Sequence, residues 1–125
     1  MTLDVTIGKL KGTRYLTQCP NSETDVSNPR LSHSSREAYR SGSQGFWNFW
    51  MHQNAKLATI YMNMRKHPWT NDFDRAKLKP FAEGILAISE SEFTQEDDKD
   101  RLRWLQYWVA KAVELYGDEA GITFS

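Results

Sequence analysis

Apolar and polar residues alternate at both ends of the chain. Residues 2–8 carry leucine, valine and isoleucine separated by single polar residues, and residues 121–125 alternate in the same way. A period of two is typical of a strand with one buried face. We therefore predict that these two strands pair and bring the chain ends together, with residues 13–16 as a third strand.

Residues 44–66 have the period of a helix. Aromatic and aliphatic residues recur there at spacings of three, four and seven, which indicates a helix buried over most of its circumference. Ser43 is the expected N-cap, because its hydroxyl can accept a hydrogen bond from a free backbone N–H. Pro68 is expected to end the helix, since the residue before a proline is disfavoured in the α region.

A second long helix is predicted over residues 95–116, where leucine and valine residues share one face and tryptophans lie on an adjoining face. Thr94 and Asp97 resemble a capping box, and Gly117 is a suitable stop. The acidic residues at 89–100 also favour the positive end of this helix dipole.

The segments between these elements have weaker patterns. Residues 17–35 are rich in serine, asparagine and proline, which predicts an irregular loop. A helical turn is expected at 35–40 and a short helix at 72–79, whereas 85–88 fits either a strand or a helix. Together the elements indicate a helix-dominated α+β fold, with two long packed helices and a small sheet formed by the N- and C-terminal strands.

The composition fits one globular domain that spans residues 1–125. Aromatic residues make up 13% of the chain, and their large side chains favour a well-filled core. Cys19 is the only cysteine, so no intrachain disulfide forms and a cytoplasmic location is expected. Neither a signal peptide nor a membrane span is expected.

The net charge is zero, but the charges are unevenly placed. Residues 1–80 contain 12 Lys and Arg against 6 Asp and Glu, whereas residues 81–125 contain 4 against 10. The simpler interpretation is that the two halves fold together and neutralise each other. The alternative is two opposite faces, each offered to a partner.

No residue cluster in the sequence predicts a metal or cofactor. His33, His52 and His67 share no ligand spacing with one another or with Cys19. The sequence 72–83 places acidic residues at the first, third and twelfth positions of a calcium loop. Its fifth and sixth positions lack the oxygen ligand and the glycine that such a loop needs. We therefore expect no bound metal and no cofactor.

Known catalytic motifs are absent from the sequence, since it contains no nucleophile elbow and no glycine motif for phosphate or dinucleotide binding. An enzyme would need a site assembled from distant residues. The candidates near the glycine-containing break at 42–45 are Tyr39, Arg40, Trp50, His52 and Glu83. Arg40, His52 and Glu83 would carry the chemistry.

The basic N-terminal third suggests a further alternative, weak binding of nucleic acid. Its cations are Lys9, Lys11, Arg14, Arg30, Arg36 and Arg40. Tyr15 and Tyr39 lie among these charges and could stack on bases. Because neutralisation of phosphate dominates such binding and the net charge is zero, nucleic acid is not the expected partner.

Four stretches of the sequence match a recurring pattern. They are Tyr39-Arg40-Ser41-Gly42-Ser43-Gln44-Gly45-Phe46, Glu83-Gly84-Ile85-Leu86, Trp104–Trp108, and Tyr116-Gly117 followed by Gly121-Ile122-Thr123-Phe124. In these stretches the chain resembles a family of short, uncharacterised bacterial and phage-associated proteins. The resemblance implies helices with a terminal strand and a bacterial or phage origin, and it implies no activity.

A binding protein without catalysis is the function that the sequence favours. Tryptophan is enriched at binding hot spots, so Trp47, Trp69 and Trp104 are candidate anchors unless the helices bury them. The acidic residues that could meet a basic partner or mimic nucleic acid are Glu90, Glu92, Asp97, Asp98 and Asp100. We expect an immunity protein or a phage-encoded inhibitor with a protein partner, and a homodimer stays open as another place to bury aromatic surface.

Overall fold

The computed structural model describes residues 3–11, 15–21, 37–66 and 75–124. Helices dominate these ranges, and a small antiparallel sheet lies against them, which confirms the α+β prediction. The elements in chain order are β1 (Leu3–Lys11), β2 (Tyr15–Gln18), β3 (Tyr39–Ser43), α1 (Gln44–Met51), α2 (Ala55–Lys66), β4 (Arg75–Lys77), α3 (Lys79–Leu86), α4 (Glu96–Tyr116) and β5 (Ala120–Phe124). Most of the predicted loop at 17–35 lies outside the described residues.

The two chain ends meet in the sheet, as the alternating patterns predict. Val5 of β1 lies opposite Phe124 of β5, and Ile7 lies opposite Ile122. The strands follow the order β2-β1-β5-β4, and β3 also pairs with β1. The predicted third strand at 13–16 matches β2 in part: β2 begins at Tyr15, includes residues 17–18, which were predicted as loop, and pairs with the second half of β1.

One edge of β1 is covered by two separate pieces of chain. β2 pairs with residues 8–11 and β3 pairs with residues 3–6, both antiparallel. Between them, the N–H of Cys19 donates to the carbonyl of Ile7 at 3.1 Å, and the N–H of Ile7 donates to the carbonyl of Ala38 at 2.8 Å. The chain therefore leaves this edge after Cys19 and returns to it at the same position.

The predicted helix at 44–66 is wrong as a single element, because the structure divides it into α1 and α2. The side-chain Oδ1 of Asn54 accepts a hydrogen bond from the backbone N–H of Leu57 at 3.0 Å. This contact makes Asn54 the N-cap of a new helix that begins at Ala55. Residues 52–54 therefore form a turn, although the apolar pattern continues through them.

Two further predictions of local secondary structure are wrong. Residues 39–40 of the expected helical turn at 35–40 lie in β3, and residues 75–77 of the expected helix at 72–79 form β4. Pro80 lies in the first turn of α3, where its missing N–H has no intrahelical partner to lose. The segment 85–88, whose sequence fits either a strand or a helix, begins with the last residues of α3, so it is not a strand.

The second long helix agrees closely with its prediction. α4 ends at Gly117, which has a φ of 55° and donates its N–H to the carbonyl of Val113. The expected Thr94–Asp97 capping box is wrong, because α4 begins after Gln95 without a side-chain cap. A capping box occurs instead at Ser89 and Glu92, around a short 3₁₀ turn before the helix.

The core joins the sheet to the aromatic residues of the helices. Trp50 of α1, Tyr61 of α2 and Phe124 of β5 contact one another, with ring centroids 5.1 to 5.5 Å apart. Trp108 of α4 is also buried. Stacked and edge-to-face rings therefore join α1, α2 and β5, and rings in these arrangements add to the burial of apolar area.

Candidate functional site

The first half of α4 gathers most of the acidic residues that the sequence singled out. Arg40 of β3 binds Asp100, with Nη2 and Oδ2 3.0 Å apart. Arg101 binds Asp98 one turn earlier in the same helix, with Nη1 and Oδ1 2.8 Å apart. We call this set of ion pairs the α4 charge network; it also includes the pair formed by Arg103 and Glu90.

The α4 charge network is largely withdrawn from water. Asp98 is buried, whereas Arg40 and Asp100 are both partly buried. The hydrogen bond that Arg103 donates to Glu90 raises the pKa of the guanidinium above its ordinary value. Since these carboxylates are neutralised within the fold, the network ties α4 to β3 and to the preceding 3₁₀ turn.

Glu92 has a structural role of its own beside this network. One carboxylate oxygen accepts the backbone N–H of Ser89 at 2.9 Å, and the other lies 3.1 Å from Nζ of Lys56 in α2. The hydrogen bond from Ser89, followed by the contact with Lys56, lowers the pKa of the Glu92 carboxyl. Of the five predicted acidic contact residues, Asp97 is the one that is exposed and forms no ion pair with another described residue.

Of the three tryptophans predicted as anchors, Trp104 is the one whose side chain the structure describes. Trp104 is 1% exposed, and its Nε1 donates to the backbone carbonyl of Glu37 at 2.8 Å. It is therefore a core residue and is wrong as an exposed anchor. Trp47 lies in α1, but its side chain is outside the described part of the structure, as is the whole of Trp69.

The residues of the alternative enzyme site have different structural surroundings. Arg40 is held by Asp100, and Trp50 is fully buried in the core. His52 lies exposed in the turn after α1, and Glu83 lies exposed on α3. Within the described ranges, no hydrogen bond or ion pair joins Arg40, His52 and Glu83 to one another, and no group of three or more His, Cys, Asp or Glu residues is placed to hold a metal ion.

Cys19 lies buried where β2 ends. Its burial raises the pKa of the thiol from 9.0 to about 11, although Lys111 and a hydrogen bond with Tyr116 oppose this shift. Desolvation, followed by the contacts with Cys19, also raises the pKa of the Tyr116 hydroxyl. A thiol that stays protonated is a poor nucleophile.

Ion pairs join the basic and acidic halves of the sequence. The pairs that cross from one half to the other are Lys9–Glu119, Arg40–Asp100, Lys56–Glu92 and Lys79–Asp118. These contacts favour the interpretation in which the halves neutralise each other. They also engage two of the cations of the basic N-terminal third, whereas Arg14, Arg30 and Arg36 lie outside the described residues.

A different set of residues stands out on the helical side of the molecule. Met62, Leu86 and Leu115 are 44%, 44% and 47% exposed, respectively. They belong to α2, α3 and α4, and α3 packs against both of the other helices. We call these three residues the outer apolar surface. Hydrophobic patterning did not single out these residues, because each lies within an apolar stripe or run of the sequence.

Comparison with known proteins identifies no relative of this chain. No family model, no curated protein and no solved structure matches the chain. The resemblance to short bacterial and phage-associated proteins therefore stays a prediction. Across the described ranges, none of the helices has the length and apolar character that crossing a membrane requires.

Proposed function

We propose that this protein is a small non-catalytic binding or inhibitor protein, of the immunity-protein or phage counter-defence type, which contacts a protein partner through its outer apolar surface. The observation that carries the proposal is the exposure of Met62, Leu86 and Leu115 to almost half of their full extent. Covering such side chains removes apolar area from water, which is the main favourable term in most protein association.

The arrangement of the helices supports this choice of surface. α3 lies in contact with both α2 and α4, so three neighbouring helices each expose one large apolar side chain. Exposed Glu83 precedes Leu86 by three residues on α3, and exposed Glu114 is adjacent to Leu115 on α4. Exposed apolar side chains with charged neighbours are a usual composition of protein interfaces.

The acidic residues beside these apolar side chains indicate the chemistry of the partner. Glu83 and Glu114 carry no ion pair within the described ranges, so they are available to a basic partner. We propose a partner with an apolar patch flanked by lysine or arginine residues. Complementary charge of this kind raises the association rate and fixes orientation more than it raises affinity.

The experiment compares capture of host proteins by the wild-type chain and by a triple variant, Met62→Gln, Leu86→Gln and Leu115→Gln. Glutamine keeps a high helix propensity, and the side chains are already exposed, so the variant should unfold at nearly the wild-type denaturant concentration. The control variant, Lys11→Gln with Thr17→Gln, changes exposed positions on the sheet.

A protein captured by the wild type is then purified and titrated against each variant. We expect the triple variant to bind at least about tenfold more weakly, which corresponds to about 1.4 kcal/mol, and the control to bind as the wild type does. A third variant, Glu96→Gln with Asp97→Asn, tests the acidic start of α4. Equal binding by the triple variant and the wild type, or a loss confined to the third variant, would contradict the proposed surface.

A further inference from the structure

We draw no further inference here: the strongest candidate, the cluster of buried Cys19 with partly buried Tyr116 and Lys111 where the end of β2 meets the last turns of α4, rests on a lone cysteine, and no second observation in the described residues points to a ligand.

Discussion

Leu10 lies on the face of the sheet opposite to Ile7, because successive side chains of a strand alternate in direction. It is buried there against Gly121 of β5, and a Cβ atom added at Gly121 would overlap Cγ of Leu10. The two residues are diagonal neighbours in the ladder, since Gly8 lies opposite Gly121. The glycine is therefore required by its neighbour and not by an unusual backbone conformation.

We predict that Gly121→Ala destabilises the protein by about 1–3 kcal/mol, the usual cost of overpacking a filled site. In a Leu10→Ala background the overlap is gone, and the same change should cost less than about 0.5 kcal/mol or stabilise, because alanine restricts the unfolded chain more than glycine does. Denaturant unfolding of the four proteins gives the coupling energy. Equal costs in the two backgrounds would show that Leu10 does not set the requirement.

The buried thiol of Cys19 leads to a prediction about pH. A rise in pKa from 9.0 to about 11 lowers the thiolate fraction about 100-fold at pH 8, and the thiolate is the reactive form. We expect the folded protein to react with a disulfide reagent at least about 100-fold more slowly than the protein in guanidinium. The folded-state rate should keep rising up to about pH 11, whereas the rate in denaturant should level off near pH 9.

The same shift makes a signed contribution to stability. Between pH 9 and pH 11 the unfolded chain loses the thiol proton while the folded chain keeps it, so the unfolded state binds fewer protons and the contribution falls as pH rises. The stabilising contribution is therefore complete below about pH 9. Labelling that is equally fast in folded and denatured protein would contradict the buried position of Cys19.

At the level of elements, the break between α1 and α2 depends on one side chain. Asn54 caps α2 through Leu57, and its Nδ2 also lies 3.4 Å from Glu92. Asparagine side chains compete in this way with the helical pattern of the backbone. The apolar period of residues 44–66 runs through the break, and for that reason hydrophobic patterning alone could not locate it.

We predict that Asn54→Ala costs about 0.5–2 kcal/mol, the usual effect of removing an N-cap. Asn63→Ala is the matched control, because Asn63 is exposed in the interior of the same helix and alanine there favours the helix. Asn54→Ser should recover most of the loss, since serine also caps. Thermal and denaturant unfolding measure all three, and an Asn54→Ala cost no greater than that of Asn63→Ala would remove the cap from the explanation.

Elements defined by local signals were the ones that the sequence could predict. Alternation in β1 and β5, and the apolar face and terminal Gly117 of α4, are readable from neighbouring residues. β3 and β4 have serine, glycine and charged residues in place of a strand pattern. Their strand conformation depends on pairing with β1 and β5, which are distant in sequence, and such tertiary pairing overrides local propensity.

At the level of the whole molecule, the candidate site was predicted less well than the fold. The sequence identified an acidic segment at 89–100, but it could not show that Asp98 and Asp100 would meet Arg101 and Arg40. It also could not separate the buried Trp104 from the exposed Leu115, because both lie along apolar faces of one helix. Exposure is decided by which neighbouring elements cover each face.

The segment that connects β2 to β3 can be tested by replacing it in the whole protein. Cys19 and Ala38 bind the two backbone groups of one residue, Ile7, so the described residues on either side of 22–36 are held close together. We predict that a Gly-Ser linker of about four residues can replace 22–36 without loss of the fold. The shorter loop should stabilise the protein by about 1 kcal/mol, because the entropic cost of closing a loop is smaller for a shorter loop and depends only weakly on its length.

The matched control places the same linker between α3 and α4, in place of residues 89–93. That segment contains buried Phe93 and the capping box of Ser89 and Glu92, so its removal should cost several kcal/mol through lost burial and capping. Near-ultraviolet circular dichroism reports the packing of buried Trp50 and Trp108, and thermal unfolding reports stability. If replacing 22–36 abolishes the tryptophan signal, that segment contributes contacts that the meeting of its ends at Ile7 does not explain.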